Sequence, residues 1–460
     1  MVMPSQKIQQ LKRIPQYTFF ENLFANRLFG SAVWVFAGKL FSAIATVVIN
    51  GLLARMLTPE ELGVYFILLS IVGMAALVAQ LGLGQVIVRQ ISSARGLQDC
   101  ASIKPDIQFI LLVVVIISCV VFFIGQTAWM GKIIHAVFQS QTINSNIFIP
   151  FLTVPFLALQ TILAEGHRGF DDIPKATVFG GVSTNALLMS FLLGAFFCIA
   201  GMTLSQALVF TLIATVVSVV ISFALFVKKV HAVSEKCNTV ANYKAILSAS
   251  YPLLVYSLMI FAVNQAPLWI IGSFLSEESV AYYGAALRLV QPITMPLLIV
   301  NAIVASKISE MHIRGKHAEL ERMLRSCATL AGVPSLILLF VFMFFSADVL
   351  AVVFGEKYRH ANDLLIILCA GKILSVLAGS CGMLLIHTGN EKVLTVTSVI
   401  VGLLTVALSI LLVQYGAVGI AIAVATGISI QNIILLIVGK AKVGIWTSMH
   451  INFFGIKKLL

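Results

Sequence analysis

Leu57-Thr58-Pro59-Glu60-Glu61-Leu62-Gly63-Val64-Tyr65 is answered at an offset of 218 residues by Leu275-Ser276-Glu277-Glu278-Ser279-Val280-Ala281-Tyr282-Tyr283. Each copy stands between two long apolar runs. A second match, at an offset of 216, places Val137-Phe138 on Val353-Phe354, each ahead of an even-numbered run. Matches that recur in order between like-numbered segments are the mark of two parallel six-helix repeats. Two such bundles normally enclose a central cavity.

The runs themselves set the fold class. A helix needs about 20 apolar residues to cross the hydrocarbon of a bilayer. Runs that qualify begin near Ser31, Leu62, Ile107, Ile147, Ala176, Ala207, Ser248, Ala281, Ala328, Leu364, Leu394 and Gly416. The chain therefore reads as an all-α polytopic membrane protein of about twelve transmembrane helices in two six-helix bundles. The segments around Phe138 and Phe354 read as short re-entrant or interfacial pieces. With 60% apolar and 10% charged residues over 460 positions, a soluble protein would lack polar side chains for its surface. Residues 1–30 carry no short apolar core ahead of a cleavage site, so the first run reads as an uncleaved helix.

Charge placement supports the count. Of the 30 Lys and Arg, 23 fall on one side of a twelve-span arrangement, 4 on the other (Arg55, Lys132, Lys357 and Arg359) and 3 inside spans. This alternation puts both termini in the cytoplasm and excludes a nucleic-acid partner, because the basic residues form no single domain. The expected division is a cytoplasmic segment at 1–30, a bundle at 31–227, a cytoplasmic linker at 228–247, a bundle at 248–440 and a cytoplasmic tail at 441–460.

Seven cysteines form no CxxC pair, and the eight histidines form no HxxxH or HExxH pair. No phosphate-binding loop, dinucleotide fingerprint or nucleophile elbow is present. The reading is a non-enzyme without cofactor or metal.

The informative residues are those that cost free energy in a membrane. A charge at mid-bilayer costs at least about 2.5–3.5 kcal/mol. Lys39, Arg288 and Lys372 lie inside spans, and every carboxylate lies in a loop, a terminus or a helix end. Buried cations without acidic partners point to an anionic ligand, of which phosphate is the one that Arg and Lys recognise most readily. Snorkelling is the alternative for each, since each lies about 10 Å from a helix end. Gln291, Pro292 and Pro296 follow Arg288, and the prolines favour a bent helix with freed carbonyls. Asn264 and Gln265, with Asn50 at comparable depth, are amides that either bind sugar hydroxyls or join helices. Gly419, Ala423 and Gly427 form a packing ladder in the last span.

The stretch Leu53-Ala54-Arg55-Met56-Leu57-Thr58-Pro59-Glu60-Glu61-Leu62-Gly63-Val64-Tyr65 resembles the end of the first helix in polysaccharide-unit flippases of the Wzx type. That family belongs to a larger group with lipid II flippases and MATE drug exporters. Looser matches are Gly166-His167-Arg168-Gly169, residues 282–291, Phe354-Gly355 and Tyr415-Gly416-Ala417-Val418-Gly419. The resemblance implies a MATE-like V-shaped pair of bundles in a bacterial inner membrane. Its cargo would be an undecaprenyl-pyrophosphate-linked glycan for surface polysaccharide such as O-antigen, with the lipid tail left in the bilayer. It also implies a monomeric transport unit working beside a polymerase and a chain-length regulator. Arg288 sits where related lipid II flippases carry a functionally important arginine, whereas Lys39 has no family motif around it. The two extra helices of lipid II flippases have no room here. The competing readings are a cation-coupled multidrug antiporter, which would need an intramembrane carboxylate, and a scaffold for glycan assembly.

Overall fold

The computed structural model describes residues 27–96, 103–198, 201–233 and 243–450. The remaining parts of the expected terminal segments and linker lie outside the described residues. Regular structure among the described residues is entirely helical.

The first half comprises α1 (Arg27–Met56), α2 (Pro59–Gln80), α3 (Leu83–Gly96), α4 (Ile103–Gly125), α5 (Ala128–Phe138), α6 (Phe148–Gly169), α7 (Ile173–Cys198) and α8 (Leu204–Val233). The second comprises α9 (Tyr243–Phe274), α10 (Glu277–Val290), α11 (Met295–Ile313), α12 (His317–Phe344), α13 (Ser346–Phe354), α14 (Asn362–Ala378), α15 (Cys381–His387), α16 (Glu391–Leu412) and α17 (Gly416–Val443). A 3₁₀ turn at Gln291–Thr294 joins α10 to α11 as one bent span. The 53-residue apolar segment Glu391–Val443 is two spans, divided by the turn Val413–Tyr415. Twelve crossings result. The helix containing Arg27 and the helix ending at Val443 accordingly open and close the chain on one side, called here the terminal side; the other is the far side.

The repeat is visible in the caps. Thr58 and Ser276, 218 residues apart, are N-caps of α2 and α10. Thr58 Oγ1 accepts from the Glu61 amide at 3.2 Å while the Glu61 carboxylate accepts from the Thr58 amide at 3.1 Å, a reciprocal box that satisfies two free donors. Ser276 Oγ accepts from the Ser279 amide at 3.3 Å. The second match is equally physical: α5 ends at Phe138 and α13 at Phe354, each a short far-side helix ahead of a crossing helix.

Small residues set the close crossings. Ala423 is fully buried, and Gly427 meets Thr405 of α16 so closely that a β-carbon would overlap the hydroxyl. The ladder of the last span thus packs α17 on α16. Two spans are interrupted. In α7, the π turn Val178–Val182 contains Gly181 at φ 138°, outside the helical region. Between α14 and α15, Gly379 has φ 68°. Segment 444–450 then folds back across this break: Thr447 Oγ1 donates to the Ala378 carbonyl at 2.8 Å, and the Met449 amide donates to the Leu377 carbonyl at 3.0 Å. The first part of the expected tail is thus packed, with Ile445 and Thr447 buried. The helices flanking the expected linker likewise run further than its bounds, to Val233 and from Tyr243.

Candidate substrate cleft

Where the two halves meet decides where a ligand can enter. On the far side they are pressed together. The Gly63 Cα faces the Glu277 carbonyl with no room for a β-carbon, and Gly284 of α10 packs against the Phe66 ring. Gly51 of α1 lies against the Val353 carbonyl at the end of α13, and Arg55 donates a guanidinium N–H to the Val352 carbonyl. Ser140 donates its hydroxyl to the Glu277 carboxylate. One lateral seam, α2 against α9, is closed along its length. Trp269 Nε1 donates to Ser70 Oγ at 2.7 Å, Gly73 meets the Phe261 ring, and Gly82, at φ 72°, abuts the α9 backbone at Ser250 and Leu254.

The bent span α10–α11 shows where the closure ends. Gly284, Arg288, Gln291, Met295 and Leu298 share one face, at spacings of four, three, four and three. Gly284 and Arg288 are covered by Phe66, whereas Gln291 and Leu298 on that same face are exposed. Cover on this face therefore ends at Arg288, and the exposed positions on its terminal side are where a candidate cleft would begin.

Arg288 sits at that ceiling. Its guanidinium carbon is 5.5 Å from the Phe66 ring centroid, and its buried Nε has no hydrogen-bond acceptor. No ion pair engages Arg288 among the described residues; the ion pairs there involve carboxylates at helix ends and loops, such as Glu165 with Arg168 at 2.7 Å. The neighbouring Tyr65 is buried, and its hydroxyl is bonded to Thr211 Oγ1 of α8 at 3.0 Å. A cation held over an aromatic face, with one donor left over, keeps its charge without being neutralised by the protein.

The other sequence-selected residues are placed as follows. Lys39, Thr46 and Asn50 share a face of α1 at spacings of seven and four. It lies well round the helix from the apolar exposed stripe Leu40, Ile44 and Val48. Lys39 is exposed and has no carboxylate within 4 Å among the described residues. Asn50 is only 6% exposed, and its Nδ2 donates to the Thr46 carbonyl at 2.6 Å. It sits in helix packing rather than open space. Asn264 is exposed; its Nδ2 donates to the Ile260 carbonyl at 2.8 Å, which leaves Oδ1 available. It lies nine residues from Val255, on the opposite side of α9 from the lipid-like stripe of Val255 and Met259. Gln265 is half-buried and shares the Phe261, Leu268 and Gly272 face that packs on α2. Lys372 is half-buried on α14, beside the close Gly371–Ala425 crossing. Lys39, Arg288 and Lys372 are carried by three different helices, α1, α10 and α14.

Sequence reading missed Tyr65, Phe66 and Thr211, because aromatic and hydroxyl side chains in an apolar run look the same whether they pack helices or hold a cation. It counted Arg55 as a topology charge within a family-like stretch and did not foresee that it bridges the halves.

This geometry has relatives. The profile of the family described as polysaccharide biosynthesis protein matches residues 28–308, more than half of the chain. The chain belongs to that family. A protein named as a low-salt glycan biosynthesis flippase in Haloferax volcanii is 24% identical over 414 residues, covering 88% of this chain and 82% of that one. Another, named as an O-antigen transporter in Shigella flexneri, is 21% identical over 355 residues, covering 76% and 82%. An inward-facing multidrug-resistance MATE transporter of the MOP superfamily superposes with TM-score 0.69 at 17% identity, covering 90% of this chain and 98% of that one. The lipid II flippase MurJ in an inward closed conformation gives TM-score 0.69 at 15% identity, covering 89% and 87%. The polysaccharide biosynthesis protein thus has the MATE-like fold of the MOP superfamily, as the resemblance implied, and is a multi-pass membrane protein.

Proposed function

We propose that this family member is a flippase for a phosphate-linked lipid glycan, moving the head group through the cleft by alternating access. The observation that carries it is Arg288, a cation without a carboxylate partner at the closed ceiling of a cleft between two halves. Its spare Nε–H suits a phosphate group, which offers several acceptors to a guanidinium fork. Lys39, on the polar face of α1, supplies positive charge nearer the mouth. Exposed amides such as Asn264 offer acceptors and donors to hydroxylated sugars. Lys372, in the same half as Arg288, adds a third cation without a carboxylate within 4 Å among the described residues.

The specific cargo proposed is an undecaprenyl-pyrophosphate-linked oligosaccharide of surface polysaccharide synthesis, O-antigen among the candidates. The site is a bacterial inner membrane with both termini cytoplasmic. The relatives' names and the cation-only interior support this reading. In that orientation the cleft opens to the cytoplasm, where such glycans are assembled, and the far-side closure must open for release. A downstream polymerase and chain-length regulator are the expected partners, and the transport unit is a monomer. The MATE-like fold is shared with drug exporters, but their cationic cargo would require a carboxylate in the membrane. None lies mid-span among the described residues.

The decisive experiment is charge reversal, Arg288→Glu, in cells whose surface glycan depends on this gene, with membrane insertion confirmed. Loss of glycan display is expected, with the lipid-linked unit accumulating on the cytoplasmic side. Unchanged display would sink the cation-ceiling reading. Deletion that sensitises cells to cationic dyes while leaving the glycan intact would favour drug export instead.

A further inference from the structure

The far side carries a second feature that the cleft does not use. Gln126, Thr127, Lys132, His135 and Asn144 contribute to the lining of a cavity of about 510 Å³ between α5 and the start of α6. Its lining contains Lys132 and His135 and no acidic residue, and no carboxylate lies within 4 Å of Lys132 among the described residues. Positive charge is scarce on this side, as the four Lys and Arg counted there show. Two of those four are committed. Arg55 holds the Val352 carbonyl, and Arg359 pairs with Asp348 at 2.9 Å and Glu356 at 2.6 Å. Lys132 makes no such pair. Its ammonium lies 5.9 Å from the Trp129 ring centroid, an arrangement that retains the charge.

The helix that carries Lys132 has an unusual outer face. Trp129, Ile133 and Val137, each four residues apart, are 78%, 55% and 43% exposed. The adjoining face buries Ile134. The outward stripe continues into the exposed Phe123 and Ile124 of α4 and Phe148 of α6. Both α4 and α6 are membrane-spanning helices that end or begin next to α5, so α5 lies at the depth of a bilayer interface. An interfacial helix with an apolar outer stripe, a tryptophan and a lysine is built to lie among head groups.

We propose that the α5 cavity binds the phosphate of an anionic phospholipid of the far-side leaflet. Lys132 and the Asn144 amide contact the phosphate, and Trp129, Ile133 and Val137 rest on the acyl chains. A free phosphate ion would explain the cation but not the apolar stripe beside it; a lipid explains both. The site is independent of the cargo assigned to the cleft.

The test uses the full-length protein in nanodiscs and the tryptophan fluorescence that differs between wild type and Trp129→Phe. Brominated phosphatidylglycerol diluted into phosphatidylcholine should quench that component more than brominated phosphatidylcholine does at the same fraction. Lys132→Glu should raise the half-saturating fraction of phosphatidylglycerol by about fivefold or more, the effect of about one surface charge, while Lys132→Arg should keep it. Lys132→Gln repeats the comparison should the reversed charge lower thermal stability. Equal quenching by the two lipids, quenching by neither, or no change on Lys132→Glu overturns the proposal. Displacement of the phosphatidylglycerol effect by millimolar inorganic phosphate overturns the lipid assignment in favour of a free-anion site.

Discussion

The carbonyl oxygen of Glu277 occupies the place where a side chain at residue 63 would have to begin, so Gly63 is what allows the caps of α2 and α10 to meet. Those two helices start at equivalent positions of the repeat, and their N-terminal turns form the far-side closure. A β-branched residue at position 63 cannot be accommodated without moving backbone, and overpacking of this kind costs about 1–3 kcal/mol. Gly63→Val should therefore weaken the closed state by roughly tenfold or more in population. Alkylation of Ser276→Cys, which probes the same cap from the other half, should become faster in the double variant than in Ser276→Cys alone. Equal rates would show that the closure does not depend on this approach.

Arg55 acts at the second point of closure, on the carbonyl end of α13. A guanidinium there satisfies an unpaired carbonyl and opposes the negative end of the short helix. Arg55→Ala should lose about 1–2 kcal/mol of closure, seen as increased far-side labelling of a cysteine placed at Val353. Arg55→Lys should recover part of it, since the charge remains while the planar fork is lost.

Phe66 separates packing from electrostatics at the cleft ceiling. It fills the space against Gly284 and presents its ring to Arg288. Phe66→Leu keeps most of the apolar volume but removes the ring face, at a cation–π cost of about 0.5–2 kcal/mol. It should alter cargo handling more than thermal stability. Phe66→Ala adds a cavity worth about 3–5 kcal/mol and should lower the melting temperature in detergent clearly. A Leu variant as unstable as the Ala variant would show that Phe66 matters only as core.

Much of this arrangement was legible beforehand. The offset of 218 between Thr58-Pro59-Glu60-Glu61 and Ser276-Glu277-Glu278-Ser279 marks two helix starts that the structure confirms as caps, because capping is encoded locally within four residues. The offset of 216 likewise found the ends of α5 and α13. What could not be read were contacts between distant segments. Nothing near Arg55 in sequence points to Val352, and nothing near Phe66 points to Gly284 or Arg288. Asn50 shows the converse limit: its amide looked available at its depth, but the α1 backbone itself supplies its partner at Thr46. Arg288 was legible because its cost in a membrane is set by residue type and depth alone.

Asp172 lies in the loop between α6 and α7, outside both spans. Burial alone would raise its pKa, but the hydrogen bond from Lys175 Nζ at 2.8 Å, the charge of Lys175, its amide and Lys229 at 4.0 Å outweigh that and hold the carboxyl below its ordinary value. A carboxyl depressed in the folded state stabilises the protein above the unfolded value of about 3.9 and loses that contribution as pH falls through the lower folded value. The pair is partly exposed, Lys175 by 41%, so solvent screening keeps the effect to about 1 kcal/mol or less. Asp172→Asn should lower the melting temperature by about 1 °C or less at pH 7, while the wild type and the variant should converge once the pH has fallen through the lower folded value. A gap between them that persists unchanged into acid would assign the loss to the Asp172 cap on α7, where Asp172 Oδ1 accepts from the Lys175 amide at 3.5 Å, rather than to charge.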